Sequence, residues 1–72
     1  MPIVSYYVGK NELEGVDVFG LLKILKVIGY EVFIGNGLTV RANVEKFESK
    51  GHVYQEMIID IESLLKRFRI KK

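Results

Sequence analysis

The chain has 72 residues, of which 49% are hydrophobic and 28% are charged, and its formal net charge is +2. We expect one α+β domain over residues 1–72 with a marginal core, because a chain this short buries only about 60% of its unfolded surface. It has no cysteine and one histidine. Disulfides and thiolate metal sites are therefore excluded, and we expect no metal, no cofactor and no small-molecule ligand.

The composition also bears on where the protein works. No apolar run approaches the roughly 20 residues of a membrane span, so we expect no membrane partner. The absence of cysteine is typical of a cytoplasmic protein, and the content of Lys, Glu and Ile is typical of a thermophile. The charge is uneven, since the body is mildly acidic and residues 66–72 form a basic C-terminal tail.

The first half of the chain predicts a strand and then a helix. Residues 3–8 are β-branched or aromatic with one serine, which favours a strand, and residues 9–15 form a polar loop. Asp17 is placed to cap a helix that runs to about Ile28, and Gly29 suits the left-handed position that ends it. Helical spacing predicts a broad buried stripe that leaves mainly Lys23 and Lys26 to solvent. Its members are Val18, Phe19, Leu21, Leu22, Ile24, Leu25, Val27 and Ile28.

Residues 30–44 predict an antiparallel hairpin around Gly35-Asn36-Gly37. A two-residue loop would mix apolar and polar side chains on one face, whereas a three-residue loop separates them. We therefore expect the three-residue loop, with Gly37 in a left-handed conformation. The expected pairs are Tyr30 with Ala42, Val32 with Val40, Ile34 with Leu38, Phe33 with Thr39 and Glu31 with Arg41.

The last third predicts a second helix. Residues 45–51 fit either a loop or one helical turn opened by Asn43. From about residue 53 to 68, apolar residues recur at helical spacing. After that, residues 68–71 either fray or add a short edge strand. The apolar stripe comprises Tyr54, Met57, Ile58, Ile61, Leu65 and Phe68.

The order β-α-β-β-α, with an optional last strand, predicts a two-layer, ferredoxin-like split βαβ fold. A right-handed crossover puts both helices on one face of the sheet. The opposite face is then left open. We place on it Ile3, Ser5, Tyr7, Glu31, Phe33, Thr39, Arg41 and Asn43.

Apolar residues on this open face predict a partner. One interpretation is a homodimer in which Ile3, Tyr7 and Phe33 form the interface. Another is a platform for DNA or RNA, as in the RNA-recognition motif, with bases stacked on Tyr7 and Phe33. Because Glu31 lies opposite Arg41, the basic tail is the stronger candidate for phosphate. The predicted nucleic-acid contacts are Tyr7, Phe33, Arg41, Lys66, Arg67, Arg69, Lys71 and Lys72, with Asn43 beside them.

Pro2 supports an enzymatic alternative. The opening Met-Pro-Ile-Val, the strand that follows, Arg41 and the Lys50-Gly51-His52 segment resemble the small tautomerases related to 4-oxalocrotonate tautomerase. That family uses an amino-terminal proline as a base and arginines to bind carboxylates. The resemblance implies Pro2 as the base once Met1 is removed. The family has a longer helix after its first strand and lacks a second long helix.

We rank three functions. The first is a small non-enzymatic domain, without catalytic residues, that self-associates through its sheet and binds nucleic acid weakly by charge. The second is a protein-interaction or dimerisation module that does not bind nucleic acid. The tautomerase-like enzyme is third.

Overall fold

A computed structural model describes residues 2–70 as a small α+β domain. Three antiparallel strands, in the order β1-β3-β2, form its sheet. No helix within the described residues has both the length and the apolar character that crossing a lipid bilayer requires. The strands are β1 (Ile3–Val8), β2 (Glu31–Ile34) and β3 (Leu38–Asn43), the helices are α1 (Val18–Ile28) and α2 (Val53–Arg67), and short 3-10 turns span Lys10–Leu13, Val44–Lys46 and Lys50–His52.

The predicted hairpin register is confirmed. Ile34 faces Leu38 and Glu31 faces Arg41 across a three-residue loop, in which the Gly35 N–H donates to the Gly37 carbonyl at 2.9 Å. The predicted left-handed conformation of Gly37 is wrong, because only Gly15 and Gly29 have positive φ among the described residues. Glycine is required at position 37 for a steric reason instead, because neighbouring atoms already occupy the place of a side chain. A Cβ there would strike the Val8 carbonyl oxygen and lie 2.6 Å from the Tyr7 hydroxyl.

Both predicted ends of α1 are confirmed. The Asp17 carboxylate accepts a hydrogen bond from the Gly20 N–H at 3.2 Å, which satisfies one of the free donors of the first turn. Gly29 has a φ of 119°, and the N–H of Tyr30 returns to the Leu25 carbonyl at 3.0 Å. This left-handed ending suits glycine and turns the chain directly into β2.

The core lies between the two helices and one face of the sheet. The central strand β3 supplies fully buried Leu38, Val40 and Ala42. Both helices cover this same face, α1 mainly over β2 and α2 over β1 and β3. The helix residues in the same buried cluster are Leu21, Leu22 and Leu25 from α1, and Val53, Met57, Ile61, Leu64 and Leu65 from α2.

The predicted buried stripe of α1 is too broad. Phe19 and Val27 are 78% and 83% exposed. Only one side of α1 can reach the sheet, and the described chain has no third layer to cover the other side. Ile28 and, on α2, Tyr54 are also more exposed than the stripes predict, because both lie at the margins of the helical layer.

Residues 44–52 form two short 3-10 turns rather than a plain loop. The first is opened by Asn43, whose side-chain oxygen accepts from the Glu45 N–H at 3.1 Å, as expected for a residue of this type at a turn start. His52 is exposed at the start of α2, where its side chain makes no capping hydrogen bond.

Residues 68–70 do not form a strand beside β1. The helix ends at Arg67, and the Phe68 ring packs where a side chain on Gly20 would otherwise lie. This contact holds the C-terminal segment against the start of α1. The Asp17 N–H donates to the Phe68 carbonyl at 2.8 Å, the Ile70 N–H donates to the Gly15 carbonyl at 2.6 Å, and Arg69 bridges to Val16. The end of the predicted strand, Lys71, lies outside the described residues.

Tyr30 links several elements of the covered side. Its ring stacks on Phe47 with centroids 5.4 Å apart, and its hydroxyl donates to Oδ2 of Asp60 on α2 at 2.8 Å. Burial, and then the hydrogen bond to Asp60, raise the pKa of Tyr30 well above its ordinary range. The hydroxyl therefore remains a donor at neutral pH and ties the start of β2 to α2.

Candidate functional site: the open face of the sheet

Strand alternation gathers the predicted open-face residues on one side of the sheet. The registers of β1 and β2 with β3 place them in transverse rows. Side chains opposed in this way point to the same face, so the predicted grouping follows directly from the confirmed pairing. The rows are Ile3 with Asn43; Ser5, Arg41 and Glu31; and Tyr7, Thr39 and Phe33.

The face has two apolar ridges separated by a lower central strand. Tyr7 is 57% exposed and Ile3 45% exposed on β1, and Phe33 is 48% exposed on β2. Thr39 between them is half-buried. With neighbouring strands about 4.8 Å apart, the backbones carrying Tyr7 and Phe33 are roughly 10 Å apart. The face is therefore more exposed along its two outer strands than at Thr39 between them.

The charges on the face balance. Glu31 and Arg41 are directly opposed, and the Arg41 guanidinium lies over the Phe33 ring, 5.3 Å from its centroid. Such a cation–π contact restrains both side chains. The face thus presents one acidic and one basic group beside its aromatic rings, with no excess of positive charge to attract phosphate.

Tyr7 is positioned by the hairpin tip. Its ring and hydroxyl occupy the space above Gly37, where any larger residue would collide with them. The tip therefore determines the direction of the most exposed aromatic side chain on this face.

The predicted nucleic-acid contacts do not form one site. Tyr7, Phe33 and Arg41 lie on the open face, whereas Lys66 and Arg67 are exposed in the last turn of α2, in the helical layer. Arg67 lies over the Phe68 ring, 5.9 Å from its centroid, and Arg69 is exposed. Lys71 and Lys72 lie outside the described residues. The aromatic and the basic halves of the predicted site therefore occupy different layers.

The residues of the tautomerase-like alternative lie in different elements. Pro2 is exposed at the start of β1, where its carbonyl accepts from the Val44 N–H at 3.1 Å. Arg41 is on the open face, and His52 is exposed at the start of α2. The proline-base hypothesis remains a prediction.

Other concave regions are shallow. One depression of about 390 Å³ lies beside Lys10 and Glu14, and one of about 550 Å³ lies along the exposed side of α2 between Ile59 and Arg67. Within residues 2–70, no group of three His, Cys, Asp or Glu side chains is placed to hold a metal ion. The open face is thus the surface with the most distinctive chemistry in the described part of the chain.

Sequence reasoning missed two surface features. The sequence predicted that Phe19 and Val27 are buried. Helical periodicity shows which residues share one side of a helix, but it does not show how much of that side a neighbouring element covers. It also left undecided whether a last strand would cover the outer edge of β1, which the described C-terminal segment leaves free. The packing of Phe68 on Gly20 decides that point, and no local pattern revealed it.

No family model, curated protein or solved structure matches this chain.

Proposed function

We propose that this domain is a non-enzymatic module that self-associates by stacking the open face of its sheet on the same face of a second copy. We further propose that its basic C-terminal end binds nucleic acid weakly by charge. The observation that carries the proposal is that Ile3, Tyr7 and Phe33 are each about half exposed on one face of the sheet. Large apolar side chains grouped this way mark interaction surfaces.

A second copy suits this face because the face is complementary to itself. In a two-fold pair, the same patch meets itself, so Glu31 of one copy can approach Arg41 of the other without like-charge contact. The exposed rings of Tyr7 and Phe33 can enter the low central strand of the facing sheet. Sheets stacked face to face lie about 10 Å apart with interdigitated side chains, and this covers the sheet face that the two helices leave open.

The expected affinity is modest. Fully burying one large apolar side chain contributes roughly 1.5–3 kcal/mol, and these three are already about half buried. Association also loses translational and rotational freedom, which costs several kcal/mol or more. We therefore expect the dimer to form in the micromolar range and to dissociate on dilution.

Sedimentation velocity over a wide concentration range tests the stacking. Phe33→Ser removes a ring from the open face, and we expect it to shift the stacking step of association to at least about tenfold higher concentration, which is about 1.4 kcal/mol. Phe19→Ser is the matched control, since it makes the same change on α1 at a more exposed position. We expect it to leave dimerisation unchanged. A native chain that stays monomeric throughout, or a larger effect from Phe19→Ser, would refute the stacking.

The nucleic-acid part of the proposal rests on exposed cations at the end of α2. Three exposed cations lie close together in the sequence. Lys66 and Arg67 are in the last turn of α2, and Arg69 follows the helix. Because each phosphate contact releases counterions, we expect weak binding without sequence preference that decreases steeply with salt.

Titration of single- and double-stranded DNA and RNA at two salt concentrations tests this part. We expect Lys66→Gln with Arg69→Gln to weaken binding and to flatten the salt dependence by roughly one unit of slope for each phosphate that the variant no longer neutralises. Lys23→Gln with Lys26→Gln removes the same charge from α1 and serves as the control. Equal losses in both pairs would show only a general charge effect. If the native chain does not bind, the dimerisation module without nucleic acid becomes the preferred function.

We also propose that the domain is the ferredoxin-like split βαβ arrangement without its last strand. The strand order β1-β3-β2 supports this, as does the helical layer on a single face. In the full arrangement, the last strand lies beside β1. In the described chain, that position beside β1 is the outer edge of the sheet.

A further inference from the structure

The outer edge of β1 carries unpaired backbone groups. In this sheet β1 has one neighbour, β3. The Val44 N–H donates to the Pro2 carbonyl at 3.1 Å, which fixes the phase of the ladder. Because hydrogen-bonded and non-hydrogen-bonded pairs alternate along antiparallel strands, Val4, Tyr6 and Val8 bond to β3. The N–H and C=O groups of Ile3, Ser5 and Tyr7 therefore point away from the sheet, where no described residue pairs with them.

Nothing in β1 protects this edge from another strand. Natural edges are protected by charges, proline, bulges or short length. The strand Ile3–Val8 has six residues with no charge, proline or glycine, and its register with β3 is continuous. The other edge strand, β2, has four residues and carries Glu31. The described C-terminal segment cannot cover β1, because it is bonded to Gly15 and Asp17.

We propose that β1 pairs antiparallel with β1 of a second copy, with Ser5 facing its equivalent at the two-fold axis. This register places Ile3 opposite Tyr7 in both directions, so each outward N–H meets an outward carbonyl. An uncharged strand has no like-charge pairs in this arrangement. The two three-stranded sheets become one sheet of six strands.

The helical side of the edge favours a second copy over an isolated strand. Tyr54 of α2 contacts Tyr6 of β1 edge to face, with centroids 6.5 Å apart, whereas Asp60 bonds to Tyr30 on the inner side. The side of α2 that carries Tyr54, and Ile58 one turn later, therefore faces the free edge. Across the two-fold axis the two α2 helices would face each other along the sides that carry Tyr54. A lone peptide strand would leave Tyr54 and Ile58 without a partner.

Edge pairing is independent of the proposed stacking. It uses the backbone of β1 and one side of α2, whereas stacking uses side chains on the opposite face. The two-fold axis of the edge pair is perpendicular to the sheet. The open faces of both copies therefore point to the same side. Where both interfaces form, the assembly is larger than a dimer, and the loss of either interface leaves a dimer held by the other.

Amide hydrogen exchange of the full chain, resolved by residue with NMR, tests the edge. The amides of Ile3, Ser5 and Tyr7 are solvent-facing in the free domain and bonded in the pair. We expect their exchange to slow by at least about tenfold between dilute and concentrated samples. The amides of Val4 and Tyr6, which already bond to β3, serve as the internal reference. Fast exchange at every concentration would overturn the edge pairing and leave a strand of another protein as the occupant.

A variant pair separates the edge from the stacking. Ser5→Pro removes an outward N–H that makes no bond to β3, whereas Ser5→Ala keeps it. In a chain that also carries Phe33→Ser, we expect Ser5→Ala to remain dimeric by sedimentation and Ser5→Pro to be monomeric. Equal masses for the two would refute the edge pairing without bearing on the stacking. Should circular dichroism show that Ser5→Pro is unfolded, the exchange measurement on the unaltered chain decides.

Discussion

The two faces of β3 differ sharply although they alternate along one strand. Leu38, Val40 and Ala42 are at most 1% exposed beneath two helices. Thr39, Arg41 and Asn43, on the face without helices, are half-buried. The described chain covers these three residues of β3 by itself, whereas it leaves the open face uncovered. Folding requires apolar side chains on the covered face of β3 only. The side chains of the open face are therefore available to contact a partner.

The open face also differs from an ordinary solvated sheet. An antiparallel sheet with one wet face normally carries polar side chains there. Here the two outer strands place Ile3, Tyr7 and Phe33 in water. We therefore interpret the open face as an interface and the covered face as the core, and substitutions on each side separate the two roles.

The largest effect is expected on the covered face. Leu38→Ala removes a fully buried side chain, and we expect the free energy of unfolding to fall by about 2–5 kcal/mol, because apolar burial is reduced and a cavity remains. Chemical denaturation at a concentration below dimerisation measures it. Thr39→Ala, one residue along on the open face, is the control, with an expected change within about 0.5 kcal/mol. Similar losses for the two would contradict the division into core and interface.

A smaller effect is expected where the open face meets the hairpin tip. Gly37→Ala places a Cβ against the Val8 carbonyl and the Tyr7 ring, and we expect a destabilisation of roughly 1–3 kcal/mol. Gly35→Ala is the matched control, because a Cβ there meets nothing within 4 Å. Thermal unfolding of both variants checks the difference. If Gly35→Ala proved the more damaging, the close approach of Tyr7 to the tip would be wrong.

The smallest effect concerns the polar link on the covered side. Tyr30→Phe removes the hydrogen bond to Asp60, and we expect a loss of about 0.5–1.5 kcal/mol at neutral pH. The pKa of Tyr30 is raised in the folded state above an unfolded value of about 10. The contribution of the Tyr30 hydroxyl to the free energy of unfolding is therefore complete below about pH 10 and declines as the pH rises above that value.

Urea denaturation of the native chain and of Tyr30→Phe at several pH values tests whether the stabilisation by Tyr30 declines at high pH. The stability difference between them should be constant from neutral pH to about 10 and should shrink at higher pH. A difference that grows with pH would contradict the assigned hydrogen bond.

Much of the fold was predictable because the hairpin carries its register in its sequence. The alternation of residues 30–44 requires the three-residue loop, and Asp17 and Gly29 mark the ends of α1 by local chemistry. The open-face residues of β2 and β3 follow from that register, whereas those of β1 depend on its pairing with β3. The role of Gly37 was not predictable, because its close contact is with Tyr7 and Val8 from a distant strand.

The exposure of Phe19 and Val27 was not predictable for a related reason. Their spacing resembles that of buried positions, but the helical layer has only two helices and no cover for the outer side of α1 within the described chain. The fate of residues 68–70 also depended on a tertiary contact, the packing of Phe68 on Gly20. Local pattern thus determined the elements and their faces, whereas coverage depended on the whole domain.

Intermolecular nuclear Overhauser effects in a mixture of isotope-labelled and unlabelled chains test the central claim most directly. If open faces stack, the rings of Tyr7 and Phe33 in one copy will show contacts to Thr39 and its neighbours in the other. Intermolecular contacts confined to Phe19 and Val27 on α1, or none at concentrations where the chain is dimeric, would contradict the open face as the interface.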